Sequence, residues 1–339
     1  MSIRMWQHIK CDRTDKDCPL ILNTMLKPYT VLGDNSIIYH THFLNGSVVK
    51  YKGQTLYAYR TQQKPHFLFT FVHLCKLKRN IAVGEHFTFK PQPPPYHEET
   101  LQLKTYRQQY RGFDYWRAED PRLFVHNDEL YMFYTTGWKI GYCKIDIEFN
   151  DNGDIEKCEF GKSIFPDPPE HIKFKGSDGR QKNWSPLSYK GELCVLYSFE
   201  PLTFIRLSDG FSWTVETDIF KDYKYGLIKG GTPLQKMDNG EYLTIYHSTL
   251  KLEPNLTVYV GGALVLDENL RPKRISRYPL IAPVIMKDEH SYLDTTFVVF
   301  PAGLMREGNR WHISCGINDH STGLLLLTDE VLENNLTPR

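Results

Sequence analysis

The sequence predicts an all-β fold, a five-bladed β-propeller, on three observations: a hairpin pattern that recurs five times, a 14% share of aromatic residues, and the lack of any long amphipathic helix. The repeated unit is a short apolar segment, a polar turn and an alternating strand rich in Tyr and aliphatic residues. Its turn-plus-strand pieces span 52–60, 127–137, 190–198, 239–248 and 308–319. Counting back 11 or 12 residues from Tyr57, Tyr131, Cys194, Leu243 and His312 lands on Asn45, Asp120, Asn183, Thr232 and Pro301, each expected to open the partner strand of its hairpin.

The second-strand anchors lie 74, 63, 49 and 69 residues apart, too irregular for a solenoid but suited to blades whose outer loops vary in length. Further short strands are expected at 67–74, 140–147, 204–207, 258–266 and 324–327, so each repeat has three or four. A hairpin alone cannot bury both faces, and five packed around an axis is the economical arrangement. A β-sandwich is the rival fold, and it needs no five-fold register. The blades are expected at roughly 36–110, 111–175, 176–225, 226–290 and 291–339, in a single domain preceded by an extension over 1–35. The Pro-rich stretch 90–96 and the segment 167–179 read as loops on a propeller face.

Composition narrows the function. The 21 Tyr, 19 Phe and 6 Trp suit both strands and stacking on sugar faces. With 41 basic against 40 acidic side chains and no long block of one sign, the footprint of a nucleic-acid binder is missing. Seven scattered cysteines without close pairs argue against a disulfide framework and a zinc site, and no metal or cofactor is expected. No apolar run suits a signal peptide or a membrane span, so a soluble, cytoplasmic protein without a membrane partner is expected.

In a propeller the openings of the innermost strands converge on the axis. They would bring together Asn45; Glu119, Asp120 and Arg122; Lys182 and Asn183; Gly230, Gly231 and Thr232; and Pro301 with Gly303. The far ends of the second strands would add Arg60, Thr135 with Thr136, Glu200, His247 and Asp319. Amides and carboxylates for hydroxyls, aromatic faces for stacking and one acid for a leaving oxygen make a sugar site. Each residue has a plainer alternative: Asn45 as a turn former, Arg60 in an ion pair, His247 as a satisfied core histidine, Trp184 as packing between blades.

At these residues the chain resembles glycoside hydrolase family 130, the five-bladed propellers that include β-mannoside phosphorylases, and the related β-1,2-mannosyltransferases. The similarity covers roughly 40–325. It is carried by Asn45 to Val49 with Tyr57 to Arg60, by Glu119-Asp120-Pro121-Arg122, by Gly230-Gly231-Thr232-Pro233 with Tyr246-His247, and by Phe300 to Gly303 with Gly316 to Asp319. The third-blade run Lys182-Asn183-Trp184-Ser185-Pro186 departs from the form common among the phosphorylases. The resemblance implies that Asp120 is the proton donor of an inverting reaction. Asn45, Arg60, Glu119, Arg122, Asn183 and Asp319 would bind substrate, and Lys182, His247 and Arg180 would hold phosphate. The implied partners are mannosides or other oligosaccharides with inorganic phosphate or a sugar phosphate. Hydrolysis, which needs a second carboxylate such as Glu200 or Asp319 opposite Asp120, and non-catalytic sugar binding are the alternatives.

Overall fold

A computed structural model of the chain describes residues 30–31, 44–62, 70–78, 81–91, 118–136, 139–169, 181–253, 256–283, 296–317 and 321–338. A two-residue strand, β1 (Thr30–Val31), is followed by a four-stranded antiparallel meander of β2 (Leu44–Tyr51), β3 (Gln54–Gln62), β4 (Thr70–Lys78) and β5 (Ile81–Phe89). The second sheet is β6 (Glu119–His126), β7 (Glu129–Thr135), β8 (Ile140–Phe149) and β9 (Ile155–Phe160). The third is β10 (Ser185–Tyr189), β11 (Glu192–Phe199), β12 (Leu202–Arg206) and β13 (Ser212–Val215).

In the fourth sheet two short strands, β14 (Leu227–Lys229) and β15 (Gln235–Lys236), share one edge of β16 (Tyr242–Glu253); β17 (Leu256–Leu266) and β18 (Pro272–Ser276) follow, and β19 (Thr296–Phe297) pairs with β17. The fifth sheet is β20 (Val299–Glu307), β21 (Arg310–Ile317) and β22 (Ser321–Thr328), completed at its outer edge by β1. A short helix, α1 (Asp329–Asn335), starts where the Thr328 hydroxyl accepts the Val331 N–H. It leads to β23 (Leu336–Pro338) on β18, so the end of the chain ties the fifth sheet back to the fourth. The first strands close the ring: β2 packs on β6 and β20, and β6 on β10, while β16 packs on β20. This is the expected five-bladed propeller. Thr30–Val31, within the expected extension, belongs to the fifth sheet.

Local chemistry sets the register. The two-residue turns Lys52-Gly53, Asn127-Asp128 and Lys190-Gly191 all have positive φ at both positions, the type I′ geometry whose twist matches a hairpin. Tyr57, Tyr131, Cys194, Leu243 and His312 pair with Val48, Phe124, Leu187, Gln235 and Met305, three or four residues beyond the five counted-back positions.

The core lies in the five seams between blades. Along a second strand successive side chains point to opposite faces, and both faces are covered. Leu130, Met132 and Tyr134 pack on the first blade, whereas Phe133 packs on the third. Tyr242 and Tyr246 pack on the third blade, Leu243 and Ile245 on the fifth. Val48, Tyr57 and Tyr59 meet Met305 and Leu324 in the closing seam. Second strands therefore read as apolar on both faces, and their Tyr hydroxyls find partners such as Ser163 for Tyr134 and Thr322 for Tyr57.

Candidate active site

Three of the five counted-back residues share an unusual backbone. Asn45, Asp120 and Asn183 have φ of 43°, 51° and 64°, a left-handed conformation that Asn and Asp tolerate better than other residues with a Cβ. At the first, second and fifth blades the inner strand gains one residue over its partner, between Leu44 and Ser47, Glu119 and Arg122, and Pro301 and Gly303. Such bulges re-aim side chains at the end of a strand. The N–H groups of the adjoining strand stay satisfied across the seams: Leu123 N–H donates to Ser47 Oγ at 2.9 Å and Val48 N–H to Ser314 Oγ at 3.0 Å.

The fourth blade departs from the expectation that Thr232 opens an inner strand. That strand is split into β14 and β15, with Thr232 in the break, where its hydroxyl accepts the Ile245 N–H at 3.0 Å. Pro233 has no N–H to give, and the two preceding glycines are wedged against other blades. A Cβ on Gly230 would lie 1.9 Å from the Asn183 carbonyl oxygen, and one on Gly231 would lie 2.2 Å from that of Ile245 and 3.2 Å from that of Pro301.

These features draw all five blades to one place. Asn45 Nδ2 donates to Asp120 Oδ1 at 2.7 Å. Arg60 approaches the same oxygen at 3.4 Å and Glu119 at 3.7 Å. Arg122, 2% exposed, donates through Nε to the Gly231 carbonyl at 2.6 Å, with Nη2 on Asn183 Oδ1 at 3.3 Å, and its guanidinium lies 5.3 Å from the centre of the Phe300 ring. Phe300 in turn meets the His247 ring at 4.9 Å.

The electrostatics separate these residues. Burial would raise the Asp120 pKa, but Arg60, the Asn45 hydrogen bond, Arg122 and Lys182 together outweigh it and hold the carboxyl below its ordinary range. Its side chain keeps 14% exposure, and both its side-chain contacts among the described residues fall on Oδ1. Burial lowers Arg122 to about 10, partly offset by Asp120.

The expected site residues differ in burial and in what they touch. His247, expected as a cation for phosphate, is 1% exposed and stacked beside Tyr259. Burial, then Arg122 and Lys229, lower its pKa to about 3, so it is neutral at physiological pH and brings no charge. Arg122, expected on substrate, directs Nε, Nη1 and Nη2 at the protein itself. It is the strut that joins the second blade to the third and fourth. Arg60 and Glu119, also expected on substrate, are buried and face each other and Asp120. Trp184, 1% exposed, packs with Phe133 and Tyr197 in the seam between the second and third blades. Thr135 and Thr136 close a turn on the Lys139 carbonyl, and Glu200 is exposed at a turn. Lys182 is exposed beside Asn183. Arg180 and Asp319 lie outside the described residues.

Sequence reading missed Lys229, whose charge reaches His247. The available signal was its place directly before the two tightly packed glycines. Phe300 was read as motif only, although its ring is the floor under Arg122 and His247.

The blades thus bring one part-exposed carboxylate, cations and amides together around the axis of the propeller. The sequence profile of the family described as β-1,4-mannooligosaccharide phosphorylase, glycoside hydrolase family 130, matches residues 41–336. The chain belongs to this family, which makes it an enzyme of β-mannosidic linkages, a mannoside phosphorylase or a glycoside hydrolase. No curated protein matches the chain. Among solved structures, the chain is similar to the β-1,2-mannobiose phosphorylase from Listeria innocua, at 18% identity over 95% of this chain and 98% of that one with a TM-score of 0.51. It also resembles two proteins of Leishmania mexicana. One is MPT-4, a mannose phosphorylase solved with a phosphate ion, at 14% identity over 95% of each chain and a TM-score of 0.51. The other is MPT-1, a GDP-Man-dependent mannosyltransferase, at 13% identity over 88% of each chain and a TM-score of 0.53. At these identities the likeness is one of fold.

Proposed function

We propose that the protein transfers a mannosyl group to or from phosphate or a phosphorylated donor, with Asp120 as the proton donor. The observation that carries this reading is the charge balance around Asp120. Arg60, Arg122 and Lys182 bear on Asp120, and Lys229 bears on the nearby His247, so the cluster attracts further negative charge. A dianionic phosphoryl group supplies it. Water as nucleophile would need a second carboxylate acting as base across the sugar ring. Glu119 is buried beside Arg60 and does not fit that task.

In the forward direction a phosphate oxygen forms a bond to the anomeric carbon from the face opposite the leaving oxygen. The glycosidic C–O bond breaks with its electron pair on the leaving oxygen, the Asp120 proton moves to that oxygen, and the proton that hydrogen phosphate loses on forming the ester returns to Asp120. Phosphate needs no base, so one carboxylic acid suffices. The free protein holds Asp120 ionised. Phosphate arriving among the cations offsets the field that keeps the carboxyl deprotonated, and so raises its pKa toward a working value. MPT-4 and the Listeria enzyme, phosphorylases of the same fold, support the direction of the reading.

The test is incubation of the purified protein with β-linked mannobioses, with and without inorganic phosphate, and with mannose 1-phosphate plus mannoside acceptors. Formation of mannose 1-phosphate, or release of phosphate in the reverse direction, is expected. Turnover to free mannose at a rate independent of phosphate would move hydrolysis ahead.

A further inference from the structure

We propose that the outer end of the seam between the third and fourth blades is a second, non-catalytic cleft that binds a neutral oligosaccharide, a chain of linked mannosyl units, away from the axis. The inference rests on the family's β-mannosidic substrates and holds whether the axis transfers to phosphate or to water.

Two outer elements face each other there. The third blade contributes its edge strand β13, and the fourth contributes the turn that leads from β17 into β18. Thr214, Val215 and Glu216 on one side and Arg271 and Pro272 on the other line a cavity of about 410 Å³, within the roughly 300–1,000 Å³ of small-ligand sites. None of the five belongs to the axial cluster. Both walls are braced. In the turn, Asp267 Oδ1 accepts the N–H groups of Asn269 and Arg271, each at 2.8 Å, and Leu270, with φ 62°, is buried in the seam core. In the strand, the Thr214 hydroxyl lies 3.2 Å from that of Thr203, and the Trp213 ring stacks on Phe204 at 5.4 Å. Walls already ordered reduce the entropy that binding must overcome.

The chemistry of the lining selects the occupant. Glu216 and Arg271 are exposed, opposite in sign, and neither is in an ion pair among the described residues. A lone cation would meet Arg271 and a lone anion Glu216, whereas a hydroxyl both donates to a carboxylate and accepts from a guanidinium. Sugar rings add C–H faces that lie on apolar side chains such as Val215 and Pro272. Alternate residues of a strand share a face, so an apolar strip runs on from Val215 through Trp213 to Phe211, whose rings stack at 6.1 Å and of which Phe211 is 55% exposed. Four residues of extended chain cover about 13 Å, which suits several linked units better than one. The strand is also undefended. On β9, the matching edge of the second blade, Glu156, Lys157 and Glu159 supply the charges that keep other molecules off an edge, whereas β13 has none.

The experiment is hydrogen exchange and titration calorimetry with β-linked mannobiose and mannohexaose, without phosphate and on the Asp120→Asn background, with and without Arg271→Gln. Mannohexaose should protect the backbone amides of 211–216 and 267–272 as well as those at the axis. Arg271→Gln should weaken binding at the cleft about tenfold, the scale of one hydrogen bond to a charged group, with the mannobiose affinity and the unfolding midpoint unchanged. In the active protein the same substitution should raise KM for mannohexaose and leave KM and kcat for mannobiose as they are. An equal mannohexaose affinity in Arg271→Gln, or protection confined to the axis, would overturn the cleft. So would protection of 211–216 that rises with protein concentration and not with sugar, which would give the strip to a second copy of this chain. Mannobiose turnover independent of phosphate would count against the transfer reading alone and leave the cleft standing on its own readouts.

Discussion

At the scale of single residues, Asp120 combines a left-handed backbone with a carboxylate held ionised by Arg60, Asn45 and Arg122. Asn occupies the same kind of backbone at positions 45 and 183, so Asp120→Asn removes the acid without disturbing φ. Glu119 remains beside Arg60, so the buried guanidinium is not left alone. This variant should have a lower unfolding midpoint, since the ionised carboxyl stabilises the fold, and should still bind mannoside, yet lose turnover by about 100-fold or more, the usual scale of general acid catalysis. Initial rates beside a binding isotherm decide it, and near-normal turnover would take Asp120 out of the mechanism. Arg122 carries the opposite lesson. Its motif position suggested substrate, and its hydrogen bonds to Gly230, Gly231 and Asn183 tie it to the third and fourth blades.

At the scale of elements, what positions the site is irregularity rather than regular strand. Bulges open three inner strands, and the fourth is interrupted by a Gly-Gly-Thr-Pro turn that touches the third and fifth blades. Two glycine substitutions separate this tight fit from ordinary turn strain. Gly53 has φ 79° and open space where a Cβ would go, so Gly53→Ala should cost only the left-handed penalty, about 1–2 kcal/mol, with activity intact. Gly231→Ala meets backbone oxygens of Ile245 and Pro301 that cannot turn aside. The chain must shift, at about 1–3 kcal/mol or more, and it moves the Gly231 carbonyl that Arg122 grips. Thermal unfolding and turnover measured together should show both variants destabilised but only Gly231→Ala impaired in rate. Equal rates would mean that the turn is not what sets the site.

At the scale of the whole molecule, five apolar seams share the burden of stability, and they bury histidines that must remain neutral. Burial is the main cause that lowers His247 to about 3 and His73 to about 4. The unfolded chain takes up those protons near pH 6.5. Below that value the unfolded state binds more protons than the folded one, so stability is full above about 6.5 and is lost progressively as pH falls toward the folded values. Asp120 adds a loss of the same sign, but only below about 4, where the unfolded carboxyl protonates. The unfolding midpoint should therefore fall between pH 7 and pH 4, and His247→Gln should flatten that slope. An unaltered slope in the variant would show that His247 is not among the groups that destabilise the fold in acid.

The sequence by itself determined the architecture and the convergence of Asn45, Asp120 and Asn183, because both follow from local chemistry repeated five times. Alternating strands, turn pairs such as Asn127-Asp128 and a constant offset from each second strand place Asn45, Asp120 and Asn183 at matching points, whatever the loops between them do. Tertiary structure decided what each of those groups can do. Whether His247 is charged depends on Phe300, Tyr259 and Arg122 closing around it, and whether Arg60 and Arg122 meet substrate or protein depends on carboxylates and carbonyls from other blades. Strand period and turn type act between neighbours in sequence, whereas protonation and hydrogen-bond partners are set by whatever folding brings within a few ångströms.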